Sequence, residues 1–150
     1  MSLYLLLHVL GVVVWVGGMF FAYMALRPVA ASVLEPPQRL TLWAGVFGKF
    51  FPWVWASVAL ILVTGLIMLV KMGGFSSPHY VLAMLVLGVI MMLLFAHVFF
   101  APYKKLKRAV GDQNWQAGAA ALAQIRMLVG INLSLGLLTI GVVFVGRSLA

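Results

Sequence analysis

The chain has 150 residues, of which 65% are apolar and only 8% are charged. About a quarter of the residues in a typical soluble domain are charged, so this composition excludes an ordinary soluble protein. Cysteine is absent, which excludes a disulfide framework, a thiolate metal site and a cysteine nucleophile. The net charge of +8 comes from ten basic residues in a lipophilic chain, which indicates membrane topology and not nucleic-acid binding.

Four windows are long and apolar enough to cross a bilayer, which requires about 20 apolar residues per helix. They cover about residues 3–26, 50–71, 79–103 and 122–147. The first window lacks a basic leading segment and is longer than the apolar core of a signal peptide, so we expect it to stay in the protein. The sequence therefore predicts an all-α integral membrane protein, with residues 1–150 forming a single four-helix transmembrane bundle.

The distribution of Lys and Arg predicts the orientation of this bundle. Two basic residues, Lys71 and Arg147, lie on the side of the termini. The other eight lie on the side of the two long loops: Arg27, Arg39, Lys49, Lys104, Lys105, Lys107, Arg108 and Arg126. By the positive-inside rule, both long loops face the cytoplasm and both termini face outside.

The two basic loops are expected to contain short helical segments at the membrane interface. The first segment, 36–51, begins with two prolines that favour a helix start and continues with large apolar side chains at helical spacing. The second, 102–127, has a basic cluster and then an alanine-rich stretch that is predicted to run unbroken into the fourth helix. The basic cluster is a candidate contact for anionic lipid headgroups, although the simpler explanation, that it fixes the topology, is the favoured one.

Small and polar residues predict which helix faces point into the bundle, because lipid offers such residues no partner. The predicted inward stripe of the first helix is His8, Gly11, Trp15, Gly18, Ala22 and Ala25, and that of the second is Ser57, Ile61, Thr64, Met68 and Met72. The stripe of the third helix is His79, Ala83, Val86, Ile90, Leu94, His97 and Ala101. The fourth helix offers two candidate faces, one with Asn132, Gly136, Thr139, Val143 and Gly146 and another with Gly130, Ser134, Leu137 and Gly141.

Histidine within a membrane helix is a functional candidate, because an ionisable side chain is costly there. Residue counting places His8 about 8 Å below the outer end of the first helix, His79 at the outer surface and His97 near the inner end. Thioether and imidazole groups suit Cu(I), whereas the scarcity of carboxylates disfavours magnesium, calcium and manganese. The candidate metal ligands are His8, Met68, Met72, His79 and Met84 in the outer half, with His97 near the inner exit of a path.

The same residues also fit structural roles. An imidazole can hydrogen-bond to a hydroxyl or carbonyl of a neighbouring helix, and methionine is a common filler of apolar interiors. Trp15 and Gly18 fit helix packing, although a glycine beside a ring-sized space would also suit a porphyrin. A copper-handling protein, a b-haem redox protein and a structural or assembly subunit without a cofactor all remain open, and a homodimer would bring two copies of His8 together.

Three stretches resemble copper-resistance D-type membrane proteins. They are "LLHVLGVVVWVGGMFFAYMALRP" (6–28), with its order His-x6-Trp-x-Gly-Gly, "FFPWVWASVALILVTGLIML" (50–69) and "LLFAHVFFAPYKKLKRAV" (93–110). The resemblance covers most of the chain. It implies a compact four-helix unit in the bacterial inner membrane, with periplasmic termini and a role in copper movement or tolerance.

The first helix is also similar, more distantly, to the haem-containing membrane type of protoporphyrinogen oxidase, which has an early histidine followed by Trp and Gly. This similarity implies haem b as cofactor, His8 as its axial ligand, and Trp15 and Gly18 beside the ring. The chain lacks a Lys or Arg within the third helix, where that family carries a lysine. Copper and haem therefore remain alternative cofactors.

Overall fold

The computed structural model describes residues 1–149, which are helical almost throughout and contain no β-strand. The helices are α1 (Ser2–Phe21), α2 (Arg27–Val33), α3 (Pro36–Lys71), α4 (His79–Phe100), α5 (Pro102–Gly111) and α6 (Trp115–Leu149). A π-helical turn (Ala22–Leu26) joins α1 to α2, and a short 3₁₀ turn (Gly74–Ser76) lies between α3 and α4. Four continuous helical stretches, α1–α2, α3, α4–α5 and α6, are long and apolar enough to span a membrane, which confirms the predicted fold class.

The bundle consists of two antiparallel pairs, α1 with α3 and α4 with α6. In the first pair, the Lys71 ammonium lies 4.8 Å from the centre of the Tyr4 ring. In the second, Gly146 lies directly against Tyr80. The chain termini and the 72–78 connection therefore share one end of the bundle, here named the terminal end. The opposite end carries the two long connections with most of the Lys and Arg residues, and we name it the basic end.

α3 is one uninterrupted helix, so the predicted interfacial segment 36–51 is not separate from the second membrane helix. Pro52 lies inside α3 and cannot donate a backbone hydrogen bond to the carbonyl of Gly48. Both residues are exposed on the same side of the helix, away from its buried face. The helix continues because its apolar stripe, which includes Phe47, Phe51 and Val54, is buried on both sides of the proline.

The π-helical turn lies directly before Arg27 and Pro28. The backbone N–H of Arg27 donates to the carbonyl of Ala22, which is one residue further back than in an α-helix. The carbonyl of Tyr23 would then require an N–H from Pro28, which has none. Arg27 supplies a substitute, since its Nε donates to the Tyr23 oxygen at 3.2 Å. The irregular turn thus fixes an arginine side chain at the basic end.

α4 and α5 are separated by a sharp break at Ala101, directly before Pro102. α5 buries Tyr103, Leu106 and Ala109 and exposes its basic cluster, Lys104, Lys105, Lys107 and Arg108. The alanine-rich segment is continuous with the fourth membrane helix, as predicted. Its N-terminal cap is Asn114, whose side-chain oxygen accepts the N–H of Ala117 at 3.2 Å.

An aromatic cluster fills the half of the bundle nearest the basic end. Phe51 is at its centre, with ring centroids 4.9 Å from Phe47, 5.3 Å from Phe95 and 4.9 Å from Tyr103. The ring of Trp15 in α1 reaches the same cluster through an edge contact with Phe95. These large side chains join α1, α3, α4 and α5, so this half of the bundle is tightly packed.

Burial confirms most of the predicted inward stripes of α1 and α3, although Ala25 and Met72 are exposed, and it confirms the α6 face that carries Asn132 and Gly136. The alternative α6 face is wrong, because Ser134, Leu137 and Gly141 are exposed. The stripe predicted for the third helix is wrong, because His79, Val86, Ile90 and His97 are all exposed. The buried face of α4 carries large residues instead, namely Val81, Met91, Phe95 and Val98. The small residues of this interface lie on α6, where Gly136 accommodates Met91 and Val16. At this interface, one helix contributes small residues and the facing helix contributes the large side chains that pack against them.

We expect Gly18→Ala to destabilise the protein by about 1–3 kcal/mol, because the added methyl group would overlap the ring of Phe50. Gly17→Ala is the matched control, since no atom lies within 4 Å of the position of its added Cβ. The measurement is the unfolding of both variants in the same detergent. Equal stabilities would contradict the packing of α1 against α3 described above.

Candidate metal centre

His8 lies at the interface between α1 and α3, in the half of the bundle nearest the terminal end. Its Nδ1 is 3.2 Å from the hydroxyl oxygen of Thr64. That hydroxyl also lies 2.6 Å from the carbonyl oxygen of Leu60, to which it donates its only proton. With the Thr64 proton directed to Leu60, we assign the Nδ1–H tautomer to His8, in which Nδ1 donates to the Thr64 oxygen and Nε2 keeps the lone pair. Nε2 is therefore the nitrogen available to a metal ion.

The close approach of α1 and α3 at this point depends on glycine. A Cβ at Gly65 would lie 3.2 Å from Cε1 of His8, so the imidazole rests against the backbone of α3. One turn away along α1, a Cβ at Gly11 would lie 2.9 Å from the Ile61 side chain. The two glycines, one on each helix, allow a histidine on α1 to reach a hydroxyl group on α3.

Met68 continues the same face of α3 towards the terminal end. It lies one helical turn beyond Thr64, and its side chain is only 8% exposed. Met72 lies one further turn away, at the end of the helix, and is 40% exposed. A buried thioether therefore lies about one turn, or 6 Å along the axis, from the residue that holds His8.

The contact between Trp15 and Phe95 sets the height of α1 relative to α4. Both helices run from the terminal end towards the basic end, and the two ring centroids are 6.2 Å apart. His8 is seven residues before Trp15, and Gly88 is seven residues before Phe95. His8 and Gly88 therefore lie at about the same height in the bundle.

The other two histidines are distant from this height. His79 and His97 are each nine residues from Gly88, which corresponds to about 13 Å along the axis. Both are exposed, so neither side chain points into the bundle. Met84 is four residues from Gly88, or about 6 Å, and is half-buried. On α4, Met84 is thus nearer in height to His8 than either histidine.

Within residues 1–149, no group of three or more His, Asp or Glu side chains is close enough to hold a metal ion. His8 would therefore need thioether donors, or ligands from outside the chain, to complete a metal site. Met68 is the buried donor nearest to it along α3. A donor set of imidazole and thioether is soft and favours Cu(I) over hard divalent ions.

The residues around His8 do not fit a haem. The space beside Gly18, which a porphyrin ring would need, is filled by the ring of Phe50. Trp15 is only 3% exposed and packs against Phe95. Two cavities, of about 260 and 20 Å³, lie elsewhere in the fold, and His8 lines neither of them. Trp15 and Gly18 therefore serve helix packing.

Asn132 is a second buried polar side chain, in the middle of α6. Its Nδ2 donates to the carbonyl of Met91 at 3.1 Å, which supplies the partner that a polar residue in a membrane helix requires. Its Oδ1 is buried and has no hydrogen-bond partner among residues 1–149. Asn132 lines the cavity of about 20 Å³, which has room for one water molecule.

The sequence predicted that His8 faces the bundle, and it offered a hydroxyl partner only as one of several possibilities. It missed Gly65, although a glycine directly after a buried threonine is a clue to close helix approach. It also missed that three arginines from separate elements line one cavity. That grouping depends on how the helices are arranged.

Comparison with known proteins gives one match. The model of the family described as copper resistance protein D matches residues 44–145, about two thirds of the chain. The matched region runs from α3 into α6 and includes Met68, Met72, Met84, His79 and His97, whereas His8 in α1 lies before it. No curated protein and no solved structure matches the chain.

We expect Thr64→Val to move the proton of His8 away from Nδ1, since valine keeps the shape of threonine but cannot accept a hydrogen bond. Nitrogen NMR of histidine-labelled protein in which His79 and His97 are replaced by glutamine reports the tautomer directly. Thr139→Val is the matched control, because the Thr139 hydroxyl bonds only within its own helix, to Leu135 at 2.7 Å. If both variants kept the Nδ1–H tautomer, the assignment would be wrong.

Proposed function

Because this chain belongs to the copper resistance protein D family, we propose that it binds Cu(I) in the terminal half of the bundle and takes part in copper handling. His8 and Met68 are the central donors of the proposed site. The observation that carries this proposal is the hydrogen bond between His8 Nδ1 and Thr64, which leaves Nε2 for a metal ion, one helical turn of α3 from the buried Met68. Met72, Met84 and His79 are further donors towards the terminal end.

The proposed chemistry depends on a soft and largely dry site. Imidazole and thioether groups bind Cu(I) without adding negative charge, so the site stays compatible with the membrane interior. Thr64 holds the imidazole through Nδ1 and thereby orients Nε2, as outer hydrogen bonds do for metal-bound histidines in general. Met72 and His79, both exposed at the terminal end, are suited to receive the ion first.

The proposed direction of entry follows from charge. The terminal end carries few basic residues, so the positive-inside rule puts it outside and the basic end in the cytoplasm. In the inner membrane of a bacterium, copper would therefore arrive from the periplasm. His97 is exposed on the outer surface of α4 and is not part of an internal path.

Holding copper is favoured over conducting it through a single copy of the chain. Between His8 and the basic end, the interior is filled by the aromatic cluster around Phe51. The cavity described within that region, beside Asn132, measures only about 20 Å³. Passage to the cytoplasm would need a rearrangement of these rings or the surface between two copies.

A structural role for His8 is the second candidate, and the same hydrogen bond favours it. A bond between Nδ1 and Thr64 ties α1 to α3 whether or not Nε2 binds an ion. The two candidates differ in what happens at Nε2. Only the copper function requires Met68 and an unprotonated Nε2.

His8→Ala and Met68→Leu each remove a direct donor to Cu(I). We therefore expect each to weaken Cu(I) binding at least as much as the loss of a hydrogen bond to a metal ligand does, which is about 10–100-fold. Thr64→Val should weaken it by about 10–100-fold, because it removes only the orienting hydrogen bond. The measurement is competition with a chromophoric Cu(I) chelator, using purified protein in detergent under reducing conditions.

The matched controls are His97→Ala, on the exposed face of α4, and Met24→Leu, an exposed methionine of the π-helical turn. Both should bind Cu(I) like the unaltered protein. A result in which His8→Ala binds Cu(I) normally but unfolds more easily would reject the copper site and support the structural role.

A further inference from the structure

A cavity of about 260 Å³ lies at the basic end, between the π-helical turn with α2, the start of α3 and the first half of α6. Arg27, Arg39 and Arg126 line it, and none of its lining residues is acidic. Each arginine comes from a different element. We propose that this cavity binds the phosphate headgroup of an anionic phospholipid.

The three guanidinium groups are the first argument for an anionic ligand. Cations that line one cavity repel one another unless an anion is bound between them, and the one acidic residue near this cavity, Glu35 before Pro36, is not part of its lining. Guanidinium presents a planar set of N–H donors that matches two phosphate oxygens at once, which makes arginine the preferred residue for phosphate recognition. The charge and the donor geometry of the cavity thus both favour a phosphate group.

The second argument is that Arg27 is held in place before any ligand arrives. Its Nε donates to the carbonyl of Tyr23, and its guanidinium carbon lies 4.5 Å from the centre of the Tyr23 ring. The Tyr23 ring in turn packs against α6 at Gly130, where a Cβ would be only 3.0 Å from the ring. The π-helical turn therefore preorganises one arginine and leaves its terminal N–H groups available.

The third argument concerns the two other arginines. Arg39 makes one marginal contact within the protein, from Nη1 to the carbonyl of Ala31 at 3.5 Å. Arg126 is exposed at the rim of the cavity. A guanidinium has five N–H donors, so both side chains retain most of their donors for a ligand.

The apolar part of the cavity distinguishes a lipid from a free phosphate ion. Leu40, Trp43, Phe47 and Ile125 are buried residues that form the floor, and small exposed residues such as Ala123 leave one side open. An inorganic ion gains nothing from such a surface, whereas the glycerol and upper acyl chains of a phospholipid bury apolar area there. Basic pockets between membrane helices on the cytoplasmic side are a known form of anionic lipid site.

The basic cluster of α5 is different in kind and supplies the control. Lys104 and Lys105 are exposed, and neither lines this cavity. Their attraction to anionic lipid is through surface charge alone, which is weak and easily screened by salt. Lipid binding in a formed cavity should therefore weaken more than binding to a charged surface when one positive charge is lost.

The test compares phosphatidylglycerol with phosphatidylcholine of the same acyl chains, added to purified protein in a neutral detergent and quantified by native mass spectrometry. We expect phosphatidylglycerol to bind preferentially with one molecule per chain. Arg39→Gln and Arg126→Gln should each weaken this binding about tenfold, as loss of a charged hydrogen-bond partner does. Lys104→Gln and Lys105→Gln should change it by about twofold or less.

Equal losses in the arginine and lysine variants would overturn the proposal, and so would equal binding of the two lipids. Inorganic phosphate that displaced the lipid completely at millimolar concentration would also overturn it, in favour of a soluble phosphate ligand. Arg39→Lys, which keeps the charge but lacks the planar donor set, should show an intermediate loss and controls for misfolding. His8→Ala should leave lipid binding unchanged, so this result stands apart from the copper proposal.

Discussion

The constraint on which this structure depends is that a polar group inside a bilayer must find its partner within the protein. The chain from His8 to Thr64 to the carbonyl of Leu60 meets that constraint at the α1–α3 interface. The bond from Asn132 to the carbonyl of Met91 meets it at the α4–α6 interface. One polar link in each antiparallel pair, surrounded by apolar packing, fixes how the two helices of that pair face each other.

The same constraint shapes chemistry at His8. The hydroxyl proton of Thr64 is directed to the Leu60 carbonyl within α3, which favours an imidazole that donates from Nδ1 to the threonine oxygen. A structural bond at Nδ1 and a metal bond at Nε2 are then complementary, not competing, roles. The copper proposal and the structural alternative share one hydrogen bond and differ only at the other ring nitrogen.

The two ends of the bundle are suited to different ligands. The terminal half has soft, uncharged donors on facing helices, while the basic end has arginines around an open cavity. Between them, the aromatic cluster around Phe51 separates the two regions. We therefore treat the metal site and the lipid site as independent, each with its own variants and measurement.

The number of the membrane helices was predictable, because the four apolar windows can be read directly from the sequence. Their lengths were not, since α3 continues without interruption from Pro36 to Lys71. The inward faces of α1 and α3 were predictable too, since Gly11 and Ser57 are small or polar and gain nothing from lipid. For α6 the small residues left two faces open, and only the structure selected the one with Gly136. The face of α4 was not, because His79 and His97 look polar in sequence but lie on the exposed side, one near each end of the helix. Phe95 and Met91, which sequence alone would assign to the lipid-facing side, are instead the residues by which α4 contacts the other helices.

What the sequence determined by itself was therefore the class of the protein, a four-helix membrane bundle, and the inward position of His8. The resemblance to copper-resistance D proteins was borne out by the family match, which includes the second and third of the three stretches, while the first, 6–28, lies before the matched region. Only the tertiary structure decided which hydroxyl holds His8, which nitrogen stays free, and that Arg27, Arg39 and Arg126 surround one cavity. The physical reason is that helix periodicity fixes what lies on one face of one helix, whereas the pairing and height of neighbouring helices depend on side-chain packing between distant parts of the chain.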